Sequence, residues 1–198
     1  MTEVTGILLA AGDGERFGSN KLLHPMADGK PLILHAVRAL REALPHTVAV
    51  VNARHGEVIR LLKKEGVSIV LNHSSAGMGK SIACGVQASR RSDGWVIALG
   101  DMPLLSVAII RAVAGCIRSR KTICAPAYHN RRGHPVGFGK AYAKELMLLN
   151  NDEGARHIIE ANRDCLELIE TEEPGVITDI DYPQDIQSLA EQASLFRG

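Results

Sequence analysis

Short apolar runs alternate with amphipathic segments along most of the chain. Runs such as VTGILLA (Val4–Ala10) end in glycines and predict buried strands. The segment PLILHAVRALREAL carries Ile33, Val37 and Leu40 on one stripe and predicts a helix that begins near Pro31. The predicted strands cover 4–10, 47–52, 67–72, 94–100, 121–128, 134–139, 164–170 and 175–181. The predicted helices cover 31–44, 56–66, 81–91, 106–119, 141–149, 155–162 and 183–194.

The order of these elements predicts the fold class. Strand and helix alternate from the first strand to past Cys124, which indicates an α/β protein with three layers. We expect a mostly parallel, Rossmann-like sheet with helices on both faces. After Arg131 the alternation breaks, so this region is expected to add an antiparallel strand or flap. Ligands of such sheets bind at the carboxyl ends of the strands, near the point where the strand order reverses.

Composition narrows the class of protein. The chain has 198 residues, 45% of them apolar and 23% charged, which suits one well-packed domain spanning 1–198. The net charge of +1 gives no general attraction to nucleic acid or to a membrane surface. No apolar run approaches a membrane span, and the amino terminus has no basic signal-peptide region, so we expect a cytoplasmic protein. The four cysteines contain no C-x-x-C pair and are expected to be reduced thiols.

The first strand runs into a glycine-rich loop, GILLAAGDGERFGSNKLL (Gly6–Leu23), that admits three interpretations. The spacing of Gly12, Gly14 and Gly18 is one residue too long for a dinucleotide fingerprint, and Asn52 stands where that motif needs an acid. The loop does not match a Walker motif, because the lysine of that motif is followed by serine or threonine and Lys21 is followed by Leu22. A later stretch, SSAGMGKS, ends as a Walker loop does but lacks its leading glycine.

The third interpretation is a wider loop that wraps a nucleoside triphosphate. Gly12 and Gly14 permit positive φ and a close approach of backbone N–H groups to phosphate oxygens. Arg16 can bind phosphate as a fork and Lys21 as a movable point charge. If this loop is considered by itself, the alternative to a triphosphate-binding loop is a glycine-rich surface turn whose charged side chains are solvated.

Two carboxylates are candidate metal ligands. In VIALGDMPLL an apolar strand runs into Asp101, and a carboxylate at a strand end facing a phosphate loop suits Mg²⁺. The alternative is that Asp101 caps the helix that begins near Ser106. In TDIDYPQD, Asp181 is the favoured second ligand, with Asp179 and Asp185 as nearby alternatives.

Six motifs then occur in an order that resembles a known family. They are LLAAGDGERFGSNKLL, GMGKS, GDMPLL, RRGHPVGF, NDEGAR and DIDYPQD. Together they resemble the nucleotidyltransferases that complete molybdenum cofactor, most closely the cytidylyltransferases, over nearly the whole chain. The first and third motifs are common to many nucleotidyltransferases, whereas RGHPV followed by GAR is more specific.

The resemblance implies a role for each matching position. Residues 1–126 would bind the nucleotide, and residues 127–198 would bind the acceptor and contribute the last helix. The implied nucleotide ligands are Ala10, Ala11, Gly12, Gly14, Arg16, Lys21, Gly77, Gly79 and Ser81. The implied acceptor ligands, for a molybdopterin-type substrate, are Arg132, Gly133, His134, Pro135 and Arg156. Ala10-Ala11 before the glycines goes with CTP in this family, whereas Ala-Gly goes with GTP.

The implied reaction is attack by a terminal phosphate of the acceptor on the α-phosphorus of CTP, with release of pyrophosphate. Catalysis would rest on Arg16, Lys21, Asp101 and Mg²⁺, since a phosphate nucleophile is already anionic and needs no general base. A molybdoenzyme or its maturation chaperone is an expected partner. Asn151, where the family has glycine, and the extra cation Lys80 depart from the pattern and leave room for another acceptor.

Two other functions stay open at the level of sequence. One is a related nucleotidyltransferase that uses GTP, or that acts on a sugar phosphate or an alcohol phosphate. The other is a cofactor-insertion protein that binds the nucleotide without turnover.

Overall fold

The computed structural model describes residues 3–12, 17, 20–73 and 77–186. Its strands are β1 (Val4–Ala10), β2 (Thr47–Asn52), β3 (Ser68–Asn72), β4 (Gly94–Leu99), β5 (Ile123–Tyr128), β6 (Arg131–Arg132), β7 (Val136–Gly139) and β8 (Leu166–Glu170). Its helices are α1 (Leu32–Ala43), α2 (Gly56–Lys64), α3 (Gly77–Ala88), α4 (Val107–Cys116), α5 (Ala143–Met147) and α6 (Arg156–Ala161). Residues 183–186 are also helical.

The strands form one mixed sheet of eight strands, which confirms the predicted fold class. From one edge the order is β3, β2, β1, β4 and β7, and β7 then pairs with β5. The pairs β3–β2, β2–β1, β1–β4 and β5–β8 are parallel. Strand β7 lies antiparallel between β4 and β5, as expected for the region in which the alternation breaks.

Each face of the sheet has its own apolar core. Along β1, Leu8 belongs to the core beneath α1, α2 and α4, whereas Ile7 and Leu9 belong to the core beneath α3, α5 and α6. This alternation is the period of two that a strand covered on both faces requires. Trp95 in β4 is fully buried, and its indole N–H donates to the Ser89 hydroxyl over 3.0 Å.

The chain runs back antiparallel to β5 as two short strands, β6 and β7, which are separated by a segment outside both strands. His129 and Asn130 adopt positive φ in the tight turn between β5 and β6. Strand β6 pairs with the end of β5 and β7 pairs with its beginning. Gly133–Pro135 lie between the two strands. The N–H of Gly133 still donates to the carbonyl of Pro126 in β5 over 2.8 Å, whereas the N–H of His134 donates to the carbonyl of Val176 over 2.8 Å. The interruption therefore carries these residues to the carboxyl edge of β4, where the predicted ligands gather.

Two sequence-based element predictions need correction. Helix α3 begins at Gly77 rather than Ser81, so Gly77 and Gly79 lie in its first turn and not in a loop. The predicted strand at 175–181 is wrong, because Pro174–Ile177 form a 3₁₀ turn. The backbone of this segment bonds to loops, at His134 and at Asp101, and not to a neighbouring strand. The predicted terminal helix is helical over 183–186, and the rest of it lies outside the described residues.

The four cysteines are free thiols in the structure, as expected. Burial raises the pKa of the Cys124 thiol well above its ordinary range, which keeps that thiol protonated and unreactive. Among the described residues, no helix is both long and apolar enough to cross a membrane.

Candidate active site

Three predicted side chains meet at the carboxyl edge of the sheet. Lys21 follows the glycine loop, Asp101 follows β4, and Asp181 follows the 3₁₀ turn near the end of the chain. The Lys21 ammonium lies 2.8 Å from Asp101 Oδ2 and 3.0 Å from Asp181 Oδ1. A further bond of 2.8 Å runs from the ammonium to the carbonyl of Ile180. The fold thus assembles a charged cluster from residues up to 160 positions apart.

The cluster keeps Lys21 charged. Burial lowers the pKa of Lys21, but the charge of Asp101 and hydrogen bonds to Asp101 and Asp181 outweigh that effect, so the pKa is raised overall. The second oxygen of Asp101, Oδ1, is buried and has no hydrogen-bond partner within the described part of the chain. A buried carboxylate oxygen without a partner is costly unless a cation or a donor meets it. Asp101 and Asp181 are therefore suited to hold a divalent cation.

Hydrogen bonds distinguish Asp101 and Asp181 from nearby residues that could have taken or shared their roles. Ser106, and not Asp101, caps α4, because its hydroxyl accepts the N–H of Ile109 over 3.1 Å. Asp185 turns back to accept the N–H groups of Asp181 and Tyr182 over 2.8 and 2.7 Å. Of the three aspartates in TDIDYPQD, Asp181 is the one whose carboxylate shares Lys21 with Asp101.

A cavity of about 240 Å³ opens beside this cluster. Its walls come from the ends of β1, β2, β3 and β4 and from the first turns of α3. The lining residues are Leu9, Ala11, Gly12, Asn52, Asn72, Gly77, Met78, Ser81, Leu99 and Asp101. Five of the predicted nucleotide or metal residues thus line one cavity. Gly12 would permit positive φ, but it is not among the positive-φ glycines of the described residues.

The first turn of α3 is packed against the NDEGAR segment. The N–H of Gly79 donates to the carbonyl of Asn151 over 2.8 Å, and Gly79 is buried. Gly77 has φ +42° and would collide with Asp152 if it carried a side chain. One turn further along the helix, Ser81 accepts a hydrogen bond of 3.1 Å from the Asn72 amide. These contacts fix the helix start that faces the cavity.

A second cavity of about 230 Å³ adjoins the first and shares Leu9, Met78 and Leu99 with it. Its floor is apolar and its rim is charged. The lining includes the predicted acceptor residues Arg132, Gly133, His134 and Arg156, together with Ile82, Ile97, Val136, Phe138, Glu153, Ala155 and Ile159. Arg156 also pairs with Glu160 over 2.9 Å.

His134 stands where the second cavity approaches the carboxylates. Burial, aided by the charge of Arg132, lowers the pKa of His134 to about 4 against the opposing effect of Asp101. Its ring is therefore neutral near pH 7, and its Nδ1 has no hydrogen-bond partner within the described ranges. The next residue, Pro135, follows a cis peptide bond, is buried, and is not among the residues lining the cavity.

Ala10, which was predicted to bind the nucleotide, lines neither cavity. Ala10 is 2% exposed and packs in the core beneath α1. Gly14 and Arg16 lie outside the described residues, so their predicted roles stay predictions.

Sequence reasoning missed two asparagines of the first cavity. Asn52 and Asn72 end β2 and β3, and both are buried. Asn52 Oδ1 accepts the N–H of Arg54 over 3.0 Å. The sequence did contain a signal for them, since each is a polar residue at the end of an apolar strand. Asp101 occupies a similar position, two residues after the end of β4.

This fold, with a cavity and a lysine–carboxylate cluster at its carboxyl edge, is that of a nucleotidyltransferase. The family model of the MobA-like NTP transferase domain matches residues 6–166, and the chain therefore belongs to this family.

Its relatives carry diverse names. Purine catabolism protein PucB of Bacillus subtilis is 27% identical over 91% of this chain and 92% of its own length. Nicotine blue oxidoreductase of Paenarthrobacter nicotinovorans is 30% identical over 94% of this chain and 96% of its own. Bifunctional protein GlmU of Rhizobium etli is 31% identical over 75% of this chain, which corresponds to only 34% of GlmU.

Solved structures share the fold over nearly the full length. A homologue of Mycobacterium tuberculosis Rv0371c from Mycobacterium sp. strain JC1 has a TM-score of 0.85 and 25% identity, covering 98% of each chain. Rv0371c of Mycobacterium tuberculosis in complex with manganese has a TM-score of 0.76 and 23% identity, covering 96% of this chain and 99% of its own.

Proposed function

We propose that the chain transfers CMP from CTP to the terminal phosphate of a molybdopterin-type acceptor and releases pyrophosphate. The observation that carries this proposal is the pair of adjoining cavities, with Asp101 lining the first and Arg132, His134 and Arg156 lining the second. A nucleotide in the first cavity and an anionic heterocycle in the second would meet at the carboxylate cluster. Ala10-Ala11 before the glycine loop supports CTP, through the family resemblance.

The first cavity suits a nucleotide by its chemistry. Asn72 and Ser81 line it with hydrogen-bonding groups, while Met78 and Leu99 offer apolar surface for a base. The amino terminus of α3 lies at the wall of this cavity, and the positive end of a helix dipole favours an anion. At the near end Asp101 and Lys21 supply the charges that a triphosphate with its metal requires.

The second cavity suits a flat, negatively charged acceptor. Ile97, Val136 and Phe138 form an apolar floor, and Arg132 and Arg156 stand at the rim. An arginine fork binds phosphate in a fixed orientation, and so would direct the acceptor phosphate toward the nucleotide. The neutral His134 ring presents an unpaired nitrogen to the same space.

Asp101 and Asp181 would hold Mg²⁺, which when bound would neutralise charge on the phosphate oxygens of the nucleotide. The manganese complex of Rv0371c supports the use of a divalent cation by this fold. Lys21 would bind phosphate oxygens of the nucleotide, and Arg16 would act beside it. Since the attacking phosphate is already an anion, positioning and charge neutralisation suffice, and no residue is needed as general base.

A panel of nucleotides tests the choice of base. Pyrophosphate release is measured with CTP, GTP, ATP and UTP, each with and without molybdopterin and Mg²⁺. We expect release with CTP only when both molybdopterin and Mg²⁺ are present. Pyrophosphate release with GTP and not with CTP would overturn the assignment of the base. Pyrophosphate release with CTP and a sugar phosphate would overturn the assignment of the acceptor.

Two adjacent arginines test the acceptor cavity. Arg132 lines that cavity and Arg131 does not, although both are exposed residues of β6. Arg132→Ala is expected to raise the KM for the acceptor by about 10- to 100-fold, the loss of one charge-assisted phosphate contact, with the KM for CTP unchanged. Arg131→Ala is the matched control and should leave both values within about twofold. Equal effects of the two substitutions would remove Arg132 from the acceptor site.

A further inference from the structure

The Lys21 ammonium has all three of its N–H donors engaged. Its acceptors are Asp101 Oδ2 at 2.8 Å, Asp181 Oδ1 at 3.0 Å and the carbonyl of Ile180 at 2.8 Å. An ammonium has three donors and no acceptor, so this set is complete. The side chain is only 14% exposed, which strengthens each contact relative to one in water.

The position of the ammonium is also the position a metal needs. Mg²⁺ takes carboxylate oxygens at about 2.0–2.1 Å, so a cation shared by the two carboxylates would lie between Asp101 and Asp181. Lys21 already lies within 3.0 Å of one oxygen from each of them. A divalent cation placed there would overlap the ammonium or lie at a distance where two positive charges repel strongly.

The two carboxylates are held at this spacing by the backbone. The N–H of Ile180 donates to the carbonyl of Asp101 over 3.0 Å, which joins the loop after β4 to the segment before Asp181. Asp185 accepts the N–H of Asp181 and fixes the turn from the other side. The backbone segments that carry the two carboxylates are therefore tied together, which limits how far the carboxylates can separate to admit a second cation.

We propose that Lys21 serves as the resident counter-ion of Asp101 and Asp181 and competes directly with the divalent cation for the same place. Metal binding then requires the Lys21 ammonium to move away from the two carboxylates. Without a new anionic partner for Lys21, this movement costs free energy. The protein alone consequently binds a divalent cation weakly. This inference rests on the proposed function only in assigning the metal to Asp101 and Asp181.

The test uses Mn²⁺ as the probe and the full chain without nucleotide. Free Mn²⁺ is followed by its electron paramagnetic resonance signal during titration of wild type, Lys21→Met and the control Lys30→Met. Lys30 is an exposed lysine that pairs with Asp28 over 2.9 Å, away from the cluster. We expect Lys21→Met to bind Mn²⁺ at least tenfold more tightly than wild type, and Lys30→Met to match wild type.

Further variants keep the test decisive. Adding Asp181→Asn to Lys21→Met should abolish the gain, because one ligand is then neutral. If Lys21→Met folds poorly, Lys21→Gln is used, and the rise in Tm on adding Mn²⁺ should exceed that of wild type. Mn²⁺ affinity in the Lys21 variants equal to or weaker than that of wild type would overturn the proposal. Because no nucleotide is present, failure of CTP turnover leaves this result unaffected and counts only against the proposed function.

Discussion

Asp101→Asn is expected to reduce kcat by about a thousandfold, roughly 4 kcal/mol of transition-state stabilisation, while the protein remains folded. The substitution keeps the shape of the side chain but removes the charge that faces both Lys21 and the expected metal. Oδ1 of Asp101 is buried without a partner among the described residues, and Oδ2 pairs with Lys21 over 2.8 Å. An amide at this position would weaken the metal site and leave Lys21 paired with Asp181 alone.

The measurement is steady-state pyrophosphate release at saturating substrates, with Tm recorded for each variant. Asp93→Asn is the control, since Asp93 lies just before β4, pairs with Lys140 over 3.4 Å and is remote from both cavities. The control should keep the wild-type rate. A rate for Asp101→Asn within tenfold of wild type would show that Asp101 is not a metal ligand in the reaction.

Gly133→Ala is expected to destabilise the fold by about 3 kcal/mol and to damage the acceptor cavity. A Cβ at Gly133 would lie 2.7 Å from the carbonyl carbon of Val176 and closer still to its oxygen. Val176 is fully buried, and its carbonyl accepts the N–H of His134. The strain must therefore be relieved by moving the Gly133–Pro135 interruption, which carries His134.

Thermal unfolding and substrate kinetics measure the two effects separately. We expect a lower Tm and a raised KM for the acceptor, with the KM for CTP little changed. Gly115→Ala is the matched control, because no described atom lies within 4 Å of its Cβ position in α4. Alanine in a helix is favoured over glycine by about 0.5–1 kcal/mol, so this control should be slightly more stable than wild type. Equal stability of Gly133→Ala and wild type would contradict the packing described here.

The local elements were predictable because each segment carries its own pattern. The stripe of Ile33, Val37 and Leu40 is fully buried in α1. Gly66, the last residue of the helix predicted over 56–66, follows α2 with φ +72°. The segment 175–181 has the composition of a strand, but its first part forms a 3₁₀ turn and its backbone bonds to the loops at His134 and Asp101. Its backbone partners, His134 and Asp101, are distant in sequence and gave no local signal.

The candidate site was predictable in its chemistry but not in its pairing. Strand-end residues such as Asp101 could be placed at the carboxyl edge from the alternation of elements alone. That Lys21 bridges Asp101 and Asp181 depends on contacts across 160 positions, which no spacing rule specifies. Asn52 and Asn72 were not predicted because an amide has no charge to distinguish it, although buried polar residues at strand ends carry the same positional signal.

The proposed function is the transfer of a CMP unit from CTP. The product in which the α-phosphate is found tests this function most directly. The full chain is incubated with Mg²⁺, molybdopterin and CTP labelled with ³²P at either the α or the γ position, and the products are separated. We expect the α label to enter the molybdopterin product and the γ label to appear in pyrophosphate. Transfer of the γ label to the acceptor, or α label recovered only as CTP or free CMP, would contradict it.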